Sequence, residues 1–176
     1  MALQRLVLVR HGESVGNAAA SRADASGAHV VDIPTRDADT PLSATGVEQG
    51  SAVGRALTGL GLDHTAAIWS SPYLRARHTA ELAIAAAGVS AVPTLDERVR
   101  DRELGILDRL TAPGVLARYP EEAARKAHLG KFYYRPPGGE SWVDVALRLR
   151  SFLADATAAS ATHGVVFVHE AVIYLC

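Results

Sequence analysis

The chain has 176 residues, of which 48% are hydrophobic and 21% are charged, as in ordinary soluble globular domains. Its 18 Lys and Arg residues nearly balance 19 Asp and Glu residues, and this formal net charge of −1 disfavours bulk binding to nucleic acid or an anionic membrane. The single cysteine, Cys176, excludes an intramolecular disulfide and a cysteine metal cluster. Because no secretory signal or membrane-length apolar run is visible, we expect a soluble, cytoplasmic single domain over residues 1–176.

The first half of the chain alternates short apolar runs with helical periodicity. Residues 6–9 predict a strand that is buried on both faces, and residues 66–69 predict a second strand. Residues 21–41 have no period and predict a long surface loop, after which Ser43 is typical of a helix N-cap. Residues 72–87 then predict an Ala-rich helix.

The second half continues the same alternation. Residues 91–93 predict a weak edge strand, and residues 112–129 predict two short helices broken at Pro120. Residues 141–159 form the clearest amphipathic helix, and residues 165–168 predict a last apolar strand. This order predicts an α/β fold, a three-layer αβα sandwich with a mostly parallel central sheet.

Reactive side chains follow three of the predicted strands. Arg10 and His11 follow the first strand, Arg75 lies one turn into the helix after the second, and His169 follows the last. The carboxyl ends of parallel strands lie at one edge of a sheet, where ligands of open α/β sheets bind. Guanidinium groups match phosphate oxygens in bidentate fashion, and a neutral imidazole can attack phosphorus. These residues therefore indicate a pocket for phosphoryl transfer.

Phosphoryl transfer to histidine also needs an acid that protonates the leaving alkoxide. Asp101 and Glu103, in a charge-dense segment, are the candidates. Their neighbours Arg98, Arg100 and Arg102 would lower the pKa of a carboxyl group that they faced. Either these arginines point away, or burial and the charge of the substrate phosphate keep the acid protonated.

Five motifs occur in order along the chain: LVRHGE (8–13) followed by Asn17, PLSATG (41–46), SSPYLRARHTA (70–80), PGGES (137–141) and VFVH (166–169). Together they resemble the histidine phosphatase superfamily, the phosphoglycerate-mutase-like proteins, over nearly the whole chain. One such motif is weak evidence, but five in the same order are strong. The resemblance implies a phosphatase that acts on a small-molecule phosphate ester.

The resemblance also assigns roles to individual residues. It implies that His11 is the nucleophile that becomes phosphorylated. It implies that Arg10, Arg75 and His169 bind the phosphoryl group, and that Asn17 helps to hold substrate or product. It further implies that no metal and no other cofactor is needed.

The sequence departs from the family pattern at two positions. The family's acid is usually Glu, four residues before a Gly, and here that position is Asp101, with Glu103 in reserve. Glu170 follows the second histidine, where many members have Gly. We expect Asp101 to be the acid, whereas the sequence assigns no role to Glu170 and no oligomeric state.

Two other functions compete with hydrolysis of a phosphate monoester. Mutases of this family resemble longer chains in which an extra segment covers the pocket, so the short chain favours hydrolysis. A phosphate-ester-binding protein without turnover is the other alternative, and the Asp101 substitution favours it. The chain ends seven residues after His169, so the domain either has a bare end or lacks its C-terminal helix.

Overall fold

The computed structural model describes residues 3–60 and 62–176. Four parallel strands form one sheet in the order β1-β4-β2-β3, where the strands are β1 (Arg5–Arg10), β2 (Ala67–Ser70), β3 (Thr94–Leu95) and β4 (His163–Val168). The helices are α1 (Val15–Ser26), α2 (Ala44–Leu57), α3 (Leu74–Ala86), α4 (Ala112–Arg118), α5 (Pro120–Tyr133), α6 (Trp142–Thr157) and α7 (Glu170–Tyr174). Within the described ranges, no helix is both long and apolar enough to cross a membrane.

Strand β4 lies between β1 and β2 and carries the core on both faces. Val165 and Phe167 pack towards the cluster that contains α2 and α3, whereas Val166 and Val168 pack towards α6 and α7. Successive side chains of a strand point to opposite faces, so a fully apolar strand needs a helical layer on each side. The predicted three-layer α/β fold is confirmed.

The structure corrects two predicted elements. The expected strand at 91–93 is wrong: pairing with β2 begins at Thr94, after Pro93, which has no N–H to donate. The expected loop over 21–41 starts later, because α1 continues to Ser26. Its helical sequence has no apolar stripe of regular period, so periodicity does not reveal it.

Three glycines spaced four residues apart line one face of α2. A Cβ atom on Gly54 would lie 2.3 Å from the carbonyl oxygen of Ala83 in α3, and one on Gly46 would lie 2.0 Å from the carbonyl oxygen of Glu13. Gly50 lies between them and faces Leu82. The absence of side chains therefore lets α2 approach both α3 and the loop after β1, which positions that loop.

We predict that Gly54→Ala lowers the free energy of unfolding by about 1 to 3 kcal/mol, because the added methyl group forces α2 away from α3. Gly59→Ala is the matched control, since a Cβ atom there meets nothing within 4 Å. Urea unfolding of both variants measures the difference. Equal stability of the two variants would contradict the close packing of α2 against α3.

Candidate active site

The carboxyl ends of β1, β2 and β4 bring two histidines together. His11 follows β1 and is buried, and His169 follows β4 and is fully buried. The centroids of their rings are 5.1 Å apart. The structure thus brings together two residues that lie near opposite ends of the sequence.

The imidazole of His11 is held in one tautomer. Its Nδ1 lies 2.7 Å from the carbonyl oxygen of Gly12 and donates to it, since a carbonyl only accepts. Its Nε2 accepts from Nε of Arg75 at 3.3 Å. Burial, with help from His169 and Arg75, lowers the pKa of His11 to about 3. The ring is therefore neutral near pH 7 and has its lone pair on Nε2, as a nucleophile requires.

Two hydroxyl groups that were not predicted from the sequence lie at the site, one bonded to the backbone of the loop after β1 and one to the ring of His169. Thr79 of α3 accepts from the backbone N–H of Gly12 at 3.0 Å and donates to the carbonyl oxygen of Arg75 at 2.7 Å. Ser71 Oγ lies 2.8 Å from Nε2 of His169. Both hydroxyls belong to the SSPYLRARHTA motif, so their place in that motif was the available signal.

The guanidinium of Arg75 connects the site. Its side chain is only 4% exposed. Besides contacting His11, it donates from Nη1 and Nη2 to the two carboxylate oxygens of Asp37 at 2.9 and 3.1 Å, and from Nη2 to Asp101 at 2.9 Å. Asp37 was not among the predicted residues, because it lies in a segment without regular periodicity. The buried cation is therefore compensated by two carboxylates.

Asp101 lies between Arg75 and His169. One of its carboxylate oxygens is 2.9 Å from Arg75 Nη2 and 3.3 Å from His169 Nδ1, although the contact with Nδ1 is not aligned for a hydrogen bond. Burial opposes ionisation, but the Arg75 guanidinium and the backbone N–H of Arg102, which donates to the other carboxylate oxygen, hold the pKa of the Asp101 carboxyl below its usual range. Burial lowers the pKa of His169, against the opposing effect of Asp101. Asp101 is therefore ionised at neutral pH.

The three arginines near Asp101 direct their side chains elsewhere. Arg98 pairs with aspartates outside the site, and Arg100 pairs with Glu140 at 2.8 Å. The Arg102 side chain donates to the backbone oxygen of Glu140 at 2.8 Å. Of the two possibilities that the sequence left open, the structure thus has the arginines pointing away.

The reserve candidate Glu103 is exposed and accepts a hydrogen bond from the Tyr73 hydroxyl at 2.5 Å. Both residues line a cavity of about 720 Å³, which Asp101, Trp142 and Glu170 line as well. The two candidate acids therefore face the same space, but it is Asp101 that contacts Arg75.

Arg10 and Asn17 lie to one side of this cluster. Arg10 is half-exposed, and its Nη1 is 3.0 Å from a carboxylate oxygen of Glu170. Asn17 accepts from the backbone N–H of Ser14 at 3.0 Å, as part of the cap of α1. Both line a smaller cavity of about 320 Å³, together with His11 and Glu13. The structure brings Arg75, rather than Arg10, into contact with the His11 ring.

The cluster of two histidines, a buried guanidinium and a carboxylate suits nucleophilic attack on a phosphoryl group. In residues 3–60 and 62–176, no three His, Cys, Asp or Glu side chains are grouped so that they could hold a metal ion. The family model of the histidine phosphatase superfamily (branch 1) matches residues 6–176. The chain belongs to this superfamily.

Known proteins with related sequences and folds include mutases and phosphatases. A 2,3-bisphosphoglycerate-dependent phosphoglycerate mutase of Rhizobium meliloti is 32% identical over 147 residues, which are 82% of this chain and 62% of the relative. A mycobacterial glucosyl-3-phosphoglycerate phosphatase, solved with inorganic phosphate, is 28% identical with a TM-score of 0.72, over 97% of this chain and 75% of that chain. The alpha-ribazole phosphatase of Shigella flexneri shares the fold, with a TM-score of 0.75 at 20% identity over 96% of this chain and 75% of that chain. The chain thus spans 62% of the length of the first curated relatives it matches.

The low pKa of His11 predicts how the stability of the protein depends on pH. Between its folded value of about 3 and its ordinary value of 6.5, the unfolded chain binds a proton at His11 that the folded protein does not. Stability contributed by the neutral ring is therefore lost as the pH falls through this window. As the pH falls, we expect the free energy of unfolding of His11→Gln to decrease less steeply than that of the parent. The two slopes should differ by up to about 1.4 kcal/mol per pH unit. Urea unfolding from about pH 7 to about pH 4 measures both slopes, and parallel slopes would contradict a neutral, buried His11.

Proposed function

We propose that this protein is a phosphatase that hydrolyses a small-molecule phosphate monoester through a phosphohistidine at His11. The observation that carries the proposal is the buried, neutral His11 ring, whose Nε2 lone pair lies 3.3 Å from the Arg75 guanidinium. A nucleophile and a cation that can bind the phosphoryl oxygens thereby lie next to each other. Membership of the superfamily supports the same chemistry.

In the first step, Nε2 of His11 attacks phosphorus, so that a P–N bond forms and the ester P–O bond breaks. Arg75 and His169 stabilise the charge on the equatorial oxygens, and Arg10 assists from the smaller cavity. Asp101 gives its proton to the leaving alkoxide. Arg75 favours the ionised form of Asp101, but the charge of an incoming phosphate disfavours a second anion beside it and favours the protonated acid.

In the second step, water attacks the phosphorus of phosphohistidine. The P–N bond breaks, the electron pair returns to Nε2 of His11, and the Asp101 carboxylate accepts the proton lost by the water. Inorganic phosphate leaves, and the site returns to its initial state. The same carboxyl group therefore serves as acid and then as base.

One feature of the pocket favours water as the phosphoryl acceptor. Arg10 and Glu170 have side chains that are 50% and 74% exposed, so the mouth of the site is open to water.

A phosphoglycerate-type mutase is the second candidate. The observation in its favour is the 32% identity to the phosphoglycerate mutase of Rhizobium meliloti. A mutase would use the same phosphohistidine but return the phosphoryl group to a second hydroxyl instead of water. The two candidates therefore differ in what accepts the phosphoryl group and share the nucleophile.

We predict that the protein releases phosphate from an aryl phosphate and that His11→Ala abolishes this release. His64→Ala is the matched control, since His64 is exposed and precedes β2, at the opposite end of the sheet. An acid-labile mass increment of one phosphoryl group on the parent protein identifies the intermediate.

The same assay with 3-phosphoglycerate separates the alternatives. Isomerisation without phosphate release would replace the phosphatase by the mutase. Binding of the ester without turnover of either compound would make the protein a binding protein instead.

We predict that Asp101→Asn lowers kcat by about 10² to 10⁴, the usual contribution of a positioned acid, and that Glu103→Gln lowers it by less than about tenfold. An alkyl phosphate should show the larger Asp101 effect, because its leaving group needs the proton more than an aryl oxide does. Steady-state kinetics with both substrates measure this. The reverse order of the two variants would assign the acid to Glu103.

A further inference from the structure

The guanidinium of Arg75 has no N–H group left for a substrate. Its Nε donates to His11, its Nη1 to the backbone and side-chain oxygens of Asp37, and its Nη2 to Asp37 and Asp101. A phosphoryl group that binds Arg75 must therefore displace one of these partners. The identity of the displaced partner determines how tightly the pocket holds phosphate.

We infer that Asp37 is the displaced partner, and that its carboxylate competes with phosphate for Arg75 and so sets the affinity of the site for phosphate esters and inorganic phosphate. This inference rests on the proposed function, since it concerns the same pocket. The two carboxylate oxygens of Asp37 lie 2.9 and 3.1 Å from Nη1 and Nη2. Two phosphate oxygens make the same pair of contacts with a guanidinium, so the carboxylate occupies a phosphate position.

Exposure singles out Asp37 among the partners of Arg75. Its side chain is 43% exposed, against 27% for Asp101, whereas His11 is buried. A carboxylate that turns from Arg75 into water regains its hydration, whereas a partner that stays buried does not. Asp37 also belongs to a single 3-10 turn, Asp37–Asp39, rather than to a long helix or strand. It is therefore the partner that leaves at the lowest free-energy cost.

The remaining contacts keep Arg75 in place when the Asp37 side chain leaves. Nη2 still donates to Asp101, and the backbone oxygen of Asp37 still accepts from Nη1 at 2.7 Å. Nε donates to His11 until Nε2 of that ring attacks phosphorus. The side chain of Arg75 is buried and lies over the Tyr73 ring, 5.2 Å from its centroid. Loss of the Asp37 carboxylate should thus free donors without releasing the guanidinium.

The expected effect follows from competition. The apparent dissociation constant of phosphate equals the intrinsic constant divided by the fraction of molecules in which Asp37 has left Arg75. If that fraction is about one tenth, neutralising Asp37 tightens phosphate binding about tenfold. An Asp37 that served to orient Arg75 would have the opposite effect, because its loss would weaken binding.

The test is calorimetric titration of inorganic phosphate into the full chain and into Asp37→Asn, Asp37→Ala and Asp39→Asn. Asp39→Asn is the matched control: it removes the same charge two residues away, from a carboxylate that pairs with Arg36. We expect both Asp37 variants to bind phosphate about 5 to 20 times more tightly than the parent, and Asp39→Asn to stay within about twofold. The inhibition constant of vanadate in the aryl phosphate assay should fall in parallel. Circular dichroism confirms that each variant is folded.

Weaker binding by the Asp37 variants, or binding equal to that of Asp39→Asn, overturns the inference. The titration needs no turnover, so it is separate from the test of the proposed function. A parent that binds phosphate but hydrolyses no ester and forms no phosphohistidine overturns the proposed function and leaves the competition by Asp37 measurable. A parent and Asp37 variants that bind no phosphate overturn both.

Discussion

The buried guanidinium of Arg75 is the group on which the rest of the site depends. A permanent charge removed from water must be compensated by partners in good geometry, and here a neutral imidazole and two carboxylates supply them. These contacts bring together residues from four separate parts of the chain.

The backbone around Arg75 and His11 is positioned by close backbone contacts at glycines rather than by large side chains. A Cβ atom on Gly12 would lie 2.4 Å from the carbonyl oxygen of Gly46, so the loop after β1 and the start of α2 approach through two glycines. Thr79 then ties the backbone of this loop to α3. His11 therefore sits on a rigid support, which suits a group that must meet phosphorus at one angle.

The electrostatics of the pocket change with what it holds. The pKa values of Asp101 and His11 both lie below their ordinary values, so at neutral pH the site contains a carboxylate and a neutral imidazole. A bound phosphate brings negative charge to the same place, which favours transfer of a proton to Asp101 and displacement of the carboxylate on Arg75. Substrate binding would thereby place on Asp101 the proton that the leaving group then receives.

Most of the layered fold and the two histidines were predictable from the sequence, because fully apolar runs mark buried parallel strands and the ends of such strands meet at one edge. The partners of Arg75 and of the backbone next to His11 were not predictable. Asp37 and Thr79 reach the site from a segment without periodicity and from a helix, and no local pattern states which residues will face each other there. Likewise the family motif placed Arg10 beside His11 in sequence, but packing paired its side chain with Glu170. The sequence by itself thus determined which strands end in reactive residues, whereas only the tertiary structure decided their partners, since those partners depend on how helices and loops pack across the sheet edge.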